Sequence, residues 1–274
     1  MAANGVDPNQ YPIMIQEVWA DNLESVFDDI SDFSNEYPCI SMDTEYPGKI
    51  YHLPVPFSLQ TPADEYNELK SNVDELKLIQ VGITLSDDNG NLPELVIKGE
   101  RFRVVWQFNF SDFDSTRDRH VEASIQLLVD SGIDLEKNLR LGIRSIDFGE
   151  LLMSSGLVCN DSVSWVTFQG EFDIAFLLKI LRGRNLPDSL DEFFKFVKMF
   201  FGDKLYDVKR LTWHFPHVHG GLDEVAGQFN LVRVAGMQHQ AGSDSLLTCH
   251  VFYRMRNDFF VNGVPDAGVL NGLT

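Results

Sequence analysis

Cys39-Ile-Ser-Met-Asp-Thr-Glu45 is a short apolar run that ends in two carboxylates, and the fold follows from how it is read. Four β-compatible residues before Asp43 describe a buried strand. On a strand, alternate side chains share a face, so Asp43 and Glu45 point the same way. Outward from this strand, Thr61-Pro62 offers an N-cap and a first-turn proline for a helix through about Val73. Leu78–Leu85 is rich in β-formers and ends at the turn signal Asp88-Asn-Gly90, and Val104–Phe110 makes a third strand. Together the three predict an antiparallel meander. On the N-terminal side, Ile15, Val18, Trp19, Leu23, Phe27 and Ile30 recur every three or four residues, which predicts one amphipathic helix over 15–30.

Beyond the meander the pattern changes. Helical stretches at His120–Val129, Ile146–Met153, Ile174–Leu181, Leu190–Phe200, Leu222–Phe229 and Ser245–Phe260 alternate with two short strand-like runs, Val163–Phe168 and Lys204–Val208. Such alternation implies parallel pairing through crossover helices. An antiparallel meander followed by parallel strands is the plan of a ribonuclease H-like α/β fold, a mixed sheet flanked by helices. One domain over 1–274 is expected, with flexible ends at 1–12 and 263–274.

Composition narrows the function. A chain of 274 residues that is 44% hydrophobic, with 21 Phe, can bury a large interior. Three scattered cysteines, Cys39, Cys159 and Cys249, show no metal or disulfide spacing and fit a reducing compartment. No signal sequence and no run of about 20 apolar residues is seen, so a soluble protein of the cytoplasm and nucleus is expected, with no membrane partner. A net charge of −19 argues against nucleic-acid affinity spread over a basic surface. Two bound divalent ions would move that charge only to −15, so any nucleic-acid chemistry must be local.

Two same-face carboxylates repel each other unless a cation sits between them. Phosphodiester cleavage by two metals needs such a cluster, with hard oxygen ligands for Mg²⁺ or Mn²⁺. Alone, an Asp-x-Glu is common by chance, and a solvated turn is the simpler reading. Asp173, where an apolar strand passes into a helix, and Asp244, at the start of another, add carboxylates; each alone also reads as a helix cap. His239 lies five residues before Asp244, close enough to accept a proton from an attacking water.

Longer strings then carry a resemblance: Ile15-Gln-Glu-Val-Trp-Ala-Asp-Asn-Leu23, Met42-Asp-Thr-Glu-Tyr-Pro-Gly48, Leu151-Leu-Met-Ser-Ser-Gly156, Leu205-Tyr-Asp-Val-Lys209, Gly220-Gly-Leu-Asp-Glu-Val-Ala226 and Gln238-His-Gln-Ala-Gly-Ser-Asp-Ser-Leu-Leu-Thr248. From about 15 to 260 the chain resembles the Caf-one/Pop-two class of deadenylases in the DEDD exonuclease superfamily. The resemblance implies a 3′–5′ exoribonuclease that shortens poly(A) tails and releases 5′-AMP. It implies Asp43, Glu45, Asp173 and Asp244 as ligands of two Mg²⁺ or Mn²⁺ ions, Asp43 bridging them, and His239 as the base of the DEDDh branch. Its implied partners are the 3′ end of poly(A) RNA, the Not scaffold and the leucine-rich Ccr nuclease of the Ccr–Not complex. One departure stands out: where the family has a His-Ser-Gly-Tyr-Asp-like string, this chain reads Gln169-Gly-Glu-Phe-Asp173, which loses a histidine and a tyrosine hydroxyl and adds Glu171.

Two other readings stay beside this one: an exonuclease of the same branch acting on other single-stranded nucleic acid, and a scaffold or transcription-regulatory subunit with weak nuclease activity. His214, His217 and His219 have no helical i, i+4 spacing and no cysteine to complete a zinc site, so a surface loop is expected. Trp106, Phe108 and Phe110 alternate on one strand face and are expected to pack in the core.

Overall fold

The computed structural model describes residues 11–53 and 60–273. Its strands are β1 (Ile13–Val18), β2 (Cys39–Glu45), β3 (Gln80–Ser86), β4 (Glu94–Ile97), β5 (Glu100–Asn109), β6 (Ser164–Thr167) and β7 (Leu205–Asp207). They form one sheet in the order β1-β5-β3-β2-β6-β7, with β4 on β5. β2, β3 and β5 are the antiparallel meander, and β6 and β7 extend it parallel to β2. This is the ribonuclease H-like plan. β4 had no clear signal in the sequence. It is a hairpin arm whose two-residue turn, Lys98-Gly99, takes positive φ at both positions (53° and 88°), the geometry that suits the twist of paired strands.

Helices cover both faces of the sheet. On one side lie α1 (Leu23–Phe33), α2 (Pro62–Glu75), α5 (Ser145–Ser154), α6 (Glu171–Arg182) and α7 (Leu190–Phe201), around a core that includes Ile40 and Met42 of β2. On the other lie α8 (Val208–Leu211), α9 (Leu222–Gln228) and α10 (Ala241–Asp258), packed over Cys39 and Val166. α3 (Glu122–Asp130) and α4 (Leu135–Leu141) close one end. The even residues of β2 therefore face the first layer and its odd residues face α10. That parity fixes where each polar residue at its end can reach.

Two expectations differ from what is observed. The helix expected over 15–30 is β1 followed by α1, separated by a turn in which Trp19 N–H donates to Asn22 Oδ1 at 2.7 Å. β1 pairs along its whole length, in parallel, with Arg103–Phe108 of β5, and that pairing prevails over a helical spacing that Ile15 and Val18 match only by coincidence. At the C-terminus, 263–273 is packed rather than loose. Gly268 N–H donates to Leu205 O at 2.8 Å, and Leu270 and Leu273 are buried in the main core. Residues 1–10 and 274 lie outside the described residues. Trp106, Phe108 and Phe110 are core residues, each no more than 1% exposed.

Candidate active site

The carboxylates converge beyond the C-terminal end of β2. Asp43 and Glu45, both odd, face α10 and line a cleft of about 250 Å³ with Phe168, Asp223, His239 and Asp244. Thr44, the even residue between them, faces the opposite layer. There its hydroxyl donates to Asp173 Oδ1 at 2.5 Å. Asp173 thus stands behind the cleft floor rather than on its wall, and it is not spent on capping α6. Glu45, His239 and Asp244 each offer a ligand atom within 4.8 Å of the others, the one such group of three or more among the described residues. His214, His217 and His219 form no such group; His214 Nε2 lies 2.8 Å from Asp266.

Asp244 reaches β2 because the sheet lacks a side chain where α10 lands. Gly82 pairs with Asp43 across β2 and β3, on the α10 face. A Cβ there would lie 1.9 Å from Ala241 O and 2.5 Å from Gly242 N, so only glycine admits this approach. The first turn of α10 is buried, and its free N–H groups find acceptors on the sheet. Gly242 N–H donates to Gln107 Oε1 at 3.0 Å and Ala241 N–H to Gln80 Oε1 at 3.4 Å. Those amides are oriented in turn by Asn109 and Glu17. From this turn Asp244 reaches back, and its Oδ2 accepts His239 N–H at 2.9 Å. His239 sits at φ +62°, a left-handed position that folds the preceding loop over the cleft.

Electrostatics mark the cluster as built for a cation. Burial, then repulsion from Asp173, Asp244 and Glu45, holds the Asp43 carboxyl well above its usual range. Burial and the neighbouring acids raise Glu45 likewise. Asp173 is pushed up to about 7, chiefly by burial and against the Thr44 hydrogen bond. Asp244 is raised by burial, although Arg233 opposes the shift. Arg233 is the positive charge in place: its Nη2 lies 2.6 Å from Asp244 Oδ1 and 2.7 Å from Asp223 Oδ2. The carboxylate donors are hard oxygens and mutually repulsive, which fits divalent Mg²⁺ or Mn²⁺, and the His239 imidazole stands beside them.

Several contributors gave no clear signal in the sequence. Thr44 was hidden between the two acids, and strand parity alone could have assigned it to the other layer. Asp207, 1% exposed, accepts backbone N–H groups from Gln169, Gly170, Lys209 and Asn271, and so fixes the turn that leads to Asp173. Arg233 and Asp223 are brought together only by the packing of α9 against α10. The altered turn Gln169-Gly-Glu-Phe is well formed, and burial pushes the Glu171 carboxyl up to about 8.

The model of the CAF1 family ribonucleases matches residues 18–147. The chain is 44% identical over 262 residues to "Probable CCR4-associated factor 1 homolog 7" of Arabidopsis thaliana, covering 95% of this chain and 94% of that protein. It is 38% identical to "Poly(A) ribonuclease pop2" of Schizosaccharomyces pombe, over 100% of this chain and 77% of that one. Among solved structures it superposes on S. pombe Pop2p in its Mg²⁺- and Mn²⁺-bound form with a TM-score of 0.84 and 38% identity, covering 96% of this chain and all of that one. On the yeast CAF1 co-crystallised with the NOT1 MIF4G domain, the TM-score is 0.75 with 28% identity, over 94% and 96% of the two chains. With this fold, this arrangement of acids and relatives matching over nearly the whole chain, the protein belongs to the CAF1 family of ribonucleases.

Proposed function

We propose that the protein is a 3′–5′ exoribonuclease that removes adenylates from poly(A) tails by two-metal hydrolysis, as a nuclease subunit docked on a Not scaffold. The observation that carries this reading is the gathering of Asp43, Glu45 and Asp244 in one cleft with His239, and of Asp173 just behind it. The names of the relatives support the substrate, and the NOT1-bound CAF1 neighbour supports the docking.

Asp43, Glu45 and Asp244 would hold the ions, with Asp173 contributing from behind Thr44. Bound Mg²⁺ or Mn²⁺ supplies charge neutralisation at the scissile phosphate and at the two oxygens that exchange on it. The chain's own part is to orient and to move a proton. Asp244, held by the His239 N–H and by Arg233, presents one carboxylate edge to the cleft. The His239 ring, with a nitrogen within 4.8 Å of Glu45 and Asp244, would take a proton from the attacking water as the new O–P bond forms. The bond from phosphorus to the 3′ oxygen of the preceding nucleotide breaks, and 5′-AMP leaves. Phe168 lines the same cleft and gives the terminal ribose or base an apolar wall.

A 5′-labelled RNA ending in A20 tests the reading. With Mg²⁺ or Mn²⁺ the label shortens stepwise from the 3′ end, and excess EDTA stops it. Oligo(U), oligo(C) and oligo-dA measured alongside report base and sugar selectivity. His239→Ala lowers the chemical step by about 10²–10⁴-fold, the range for a lost general base. Full activity in EDTA, or an unchanged single-turnover rate in His239→Ala, overturns the mechanism.

A further inference from the structure

We infer that residues 46–52 and Arg119 form a short preorganised strip that carries the RNA strand upstream of the cleaved nucleotide; this rests on the nuclease reading above. The chain leaves Asp43 and Glu45 and, within seven residues, sets out Tyr46, Lys49, Tyr51 and His52. This stretch has no helix or strand to hold it. A buried asparagine does so instead: Asn72 of α2, 0% exposed, accepts the N–H groups of Ile50 and Tyr51 at 2.8 and 2.9 Å and donates to Tyr51 O at 2.9 Å. Glu68 takes the Leu53 N–H at 2.8 Å. A connecting segment pinned this firmly presents its side chains in fixed places.

Those side chains suit a single strand. Tyr46 stacks on Phe172 with centroids 5.0 Å apart and 10° between planes, and Lys49 Nζ lies 4.7 Å over the other ring of that pair. Tyr46 directly follows Glu45 and Phe172 directly precedes Asp173, so the backbone of the stacked pair is anchored next to the carboxylates. Farther out, Tyr51 is exposed at 36%, with the Arg119 guanidinium 4.8 Å from its ring centroid and donating to its hydroxyl. No carboxylate of a described residue lies within ion-pair distance of Arg119. Two adjoining clefts of about 290 and 620 Å³ share Lys49 and His52 and extend from Phe172 to Arg119. Glu65, Glu68 and Glu171 line the first and Asp118 the second, so a strand is held on the Lys49, His52 and Arg119 side of them. Tyr46 and Phe172 are packed against the core and Lys49 is held by Glu68 at 3.6 Å, so they form the fixed base of the strip. The exposed Tyr51 ring and the Arg119 guanidinium are the aromatic and the cation of sequence-tolerant single-strand binding. In a chain of net charge −19 such a strip gives weak, local tracking rather than a strong channel.

The test compares the full-length wild type with Tyr51→Ala and Arg119→Ala, each checked for an unchanged melting curve. The kcat/KM ratio of A20 to the dinucleotide ApA, which ends near the metal site, is expected to fall by about 5- to 100-fold through KM, the range for a lost base–aromatic stack. For Arg119→Ala, the slope of log affinity for fluorescent A20 against log salt, measured in EDTA, flattens by about 0.7 for each lost phosphate contact. An unchanged ratio together with an unchanged salt slope overturns the strip. If wild type cleaves neither substrate, the nuclease reading falls; the binding arm then decides the strip alone, with lost A20 affinity supporting it and retained affinity overturning it.

Discussion

Asp43 is the residue on which the reading depends most, because it has the most acidic neighbours and the least to do structurally. Replacing it by Asn keeps the shape but removes one charge from a cluster that burial and repulsion already strain. Asp43→Asn is therefore expected to abolish cleavage while leaving the melting temperature without metal level or higher; a variant that melts lower makes Asp43 a structural residue. A second residue separates burial from function. His250 on α10 has its pKa lowered from 6.5 to about 4, first by burial and then by the Arg103 charge. The unfolded chain binds that proton first, so this contribution is complete above about pH 6.5 and is lost as pH falls toward 4. The shift corresponds to at most about 3 kcal/mol. Urea unfolding of wild type and His250→Gln at pH 7 and 4.5 checks it: the wild type should lose more stability between the two, and parallel losses contradict the assignment.

α10 and the sheet are joined where neither has a side chain to spare. Gly82→Ala places a methyl group against Ala241 O, and the end of the helix must move by roughly an ångström to admit it. Stability should fall by about 1–3 kcal/mol, as for other overpacked contacts. Asp244 moves with the helix, and a displacement of that size costs on the order of 10²-fold in rate. Mn²⁺ titration should show weaker binding in the folded variant, whereas unchanged affinity would mean the helix end tolerates the shift. The sequence revealed this element well in some respects and not in others. The helical stretch Ser245–Phe260 marked most of α10 and the apolar run Cys39–Met42 marked β2, and strand parity put Asp43 and Glu45 on one face. The Gly82 contact and the Gln80 and Gln107 acceptors were illegible because they join residues more than 100 positions apart, and the Arg233 ion pairs because they depend on how α9 packs against α10. β1 was misread because six residues are too few for a period of two to prevail over a chance period near 3.6. The tail was misread because Gly263, Pro265, Gly268 and Gly272 give it the look of a linker and conceal Leu270 and Leu273, which pack in the core.

At the scale of the whole molecule, the question is how an acidic protein binds an acidic polymer. Net charge −19 repels RNA at a distance, so the productive contacts have to be local: at the 3′ end, where bound metal ions would reverse the local sign, and along the short strip just upstream of it. The same cluster that makes the metal-free protein electrostatically uncomfortable becomes a stabilising site once occupied, because ions bind the folded arrangement and not the unfolded chain. Free Mn²⁺ at 100 times its dissociation constant should add about 2.7 kcal/mol. For a chain of this size that corresponds to a melting temperature higher by about 5 °C or somewhat more. The wild type should show this rise with Mn²⁺ or Mg²⁺ and lose it in EDTA. His239→Ala should keep most of it, since the carboxylates remain, and Asp43→Asn should lose most of it. Raising monovalent salt should shrink it only slightly, because a partly buried site is screened less than the surface. A rise equal in wild type and Asp43→Asn would mean that the ions stabilise the protein by neutralising its surface at large, and the cleft between β2 and α10 would no longer account for metal binding.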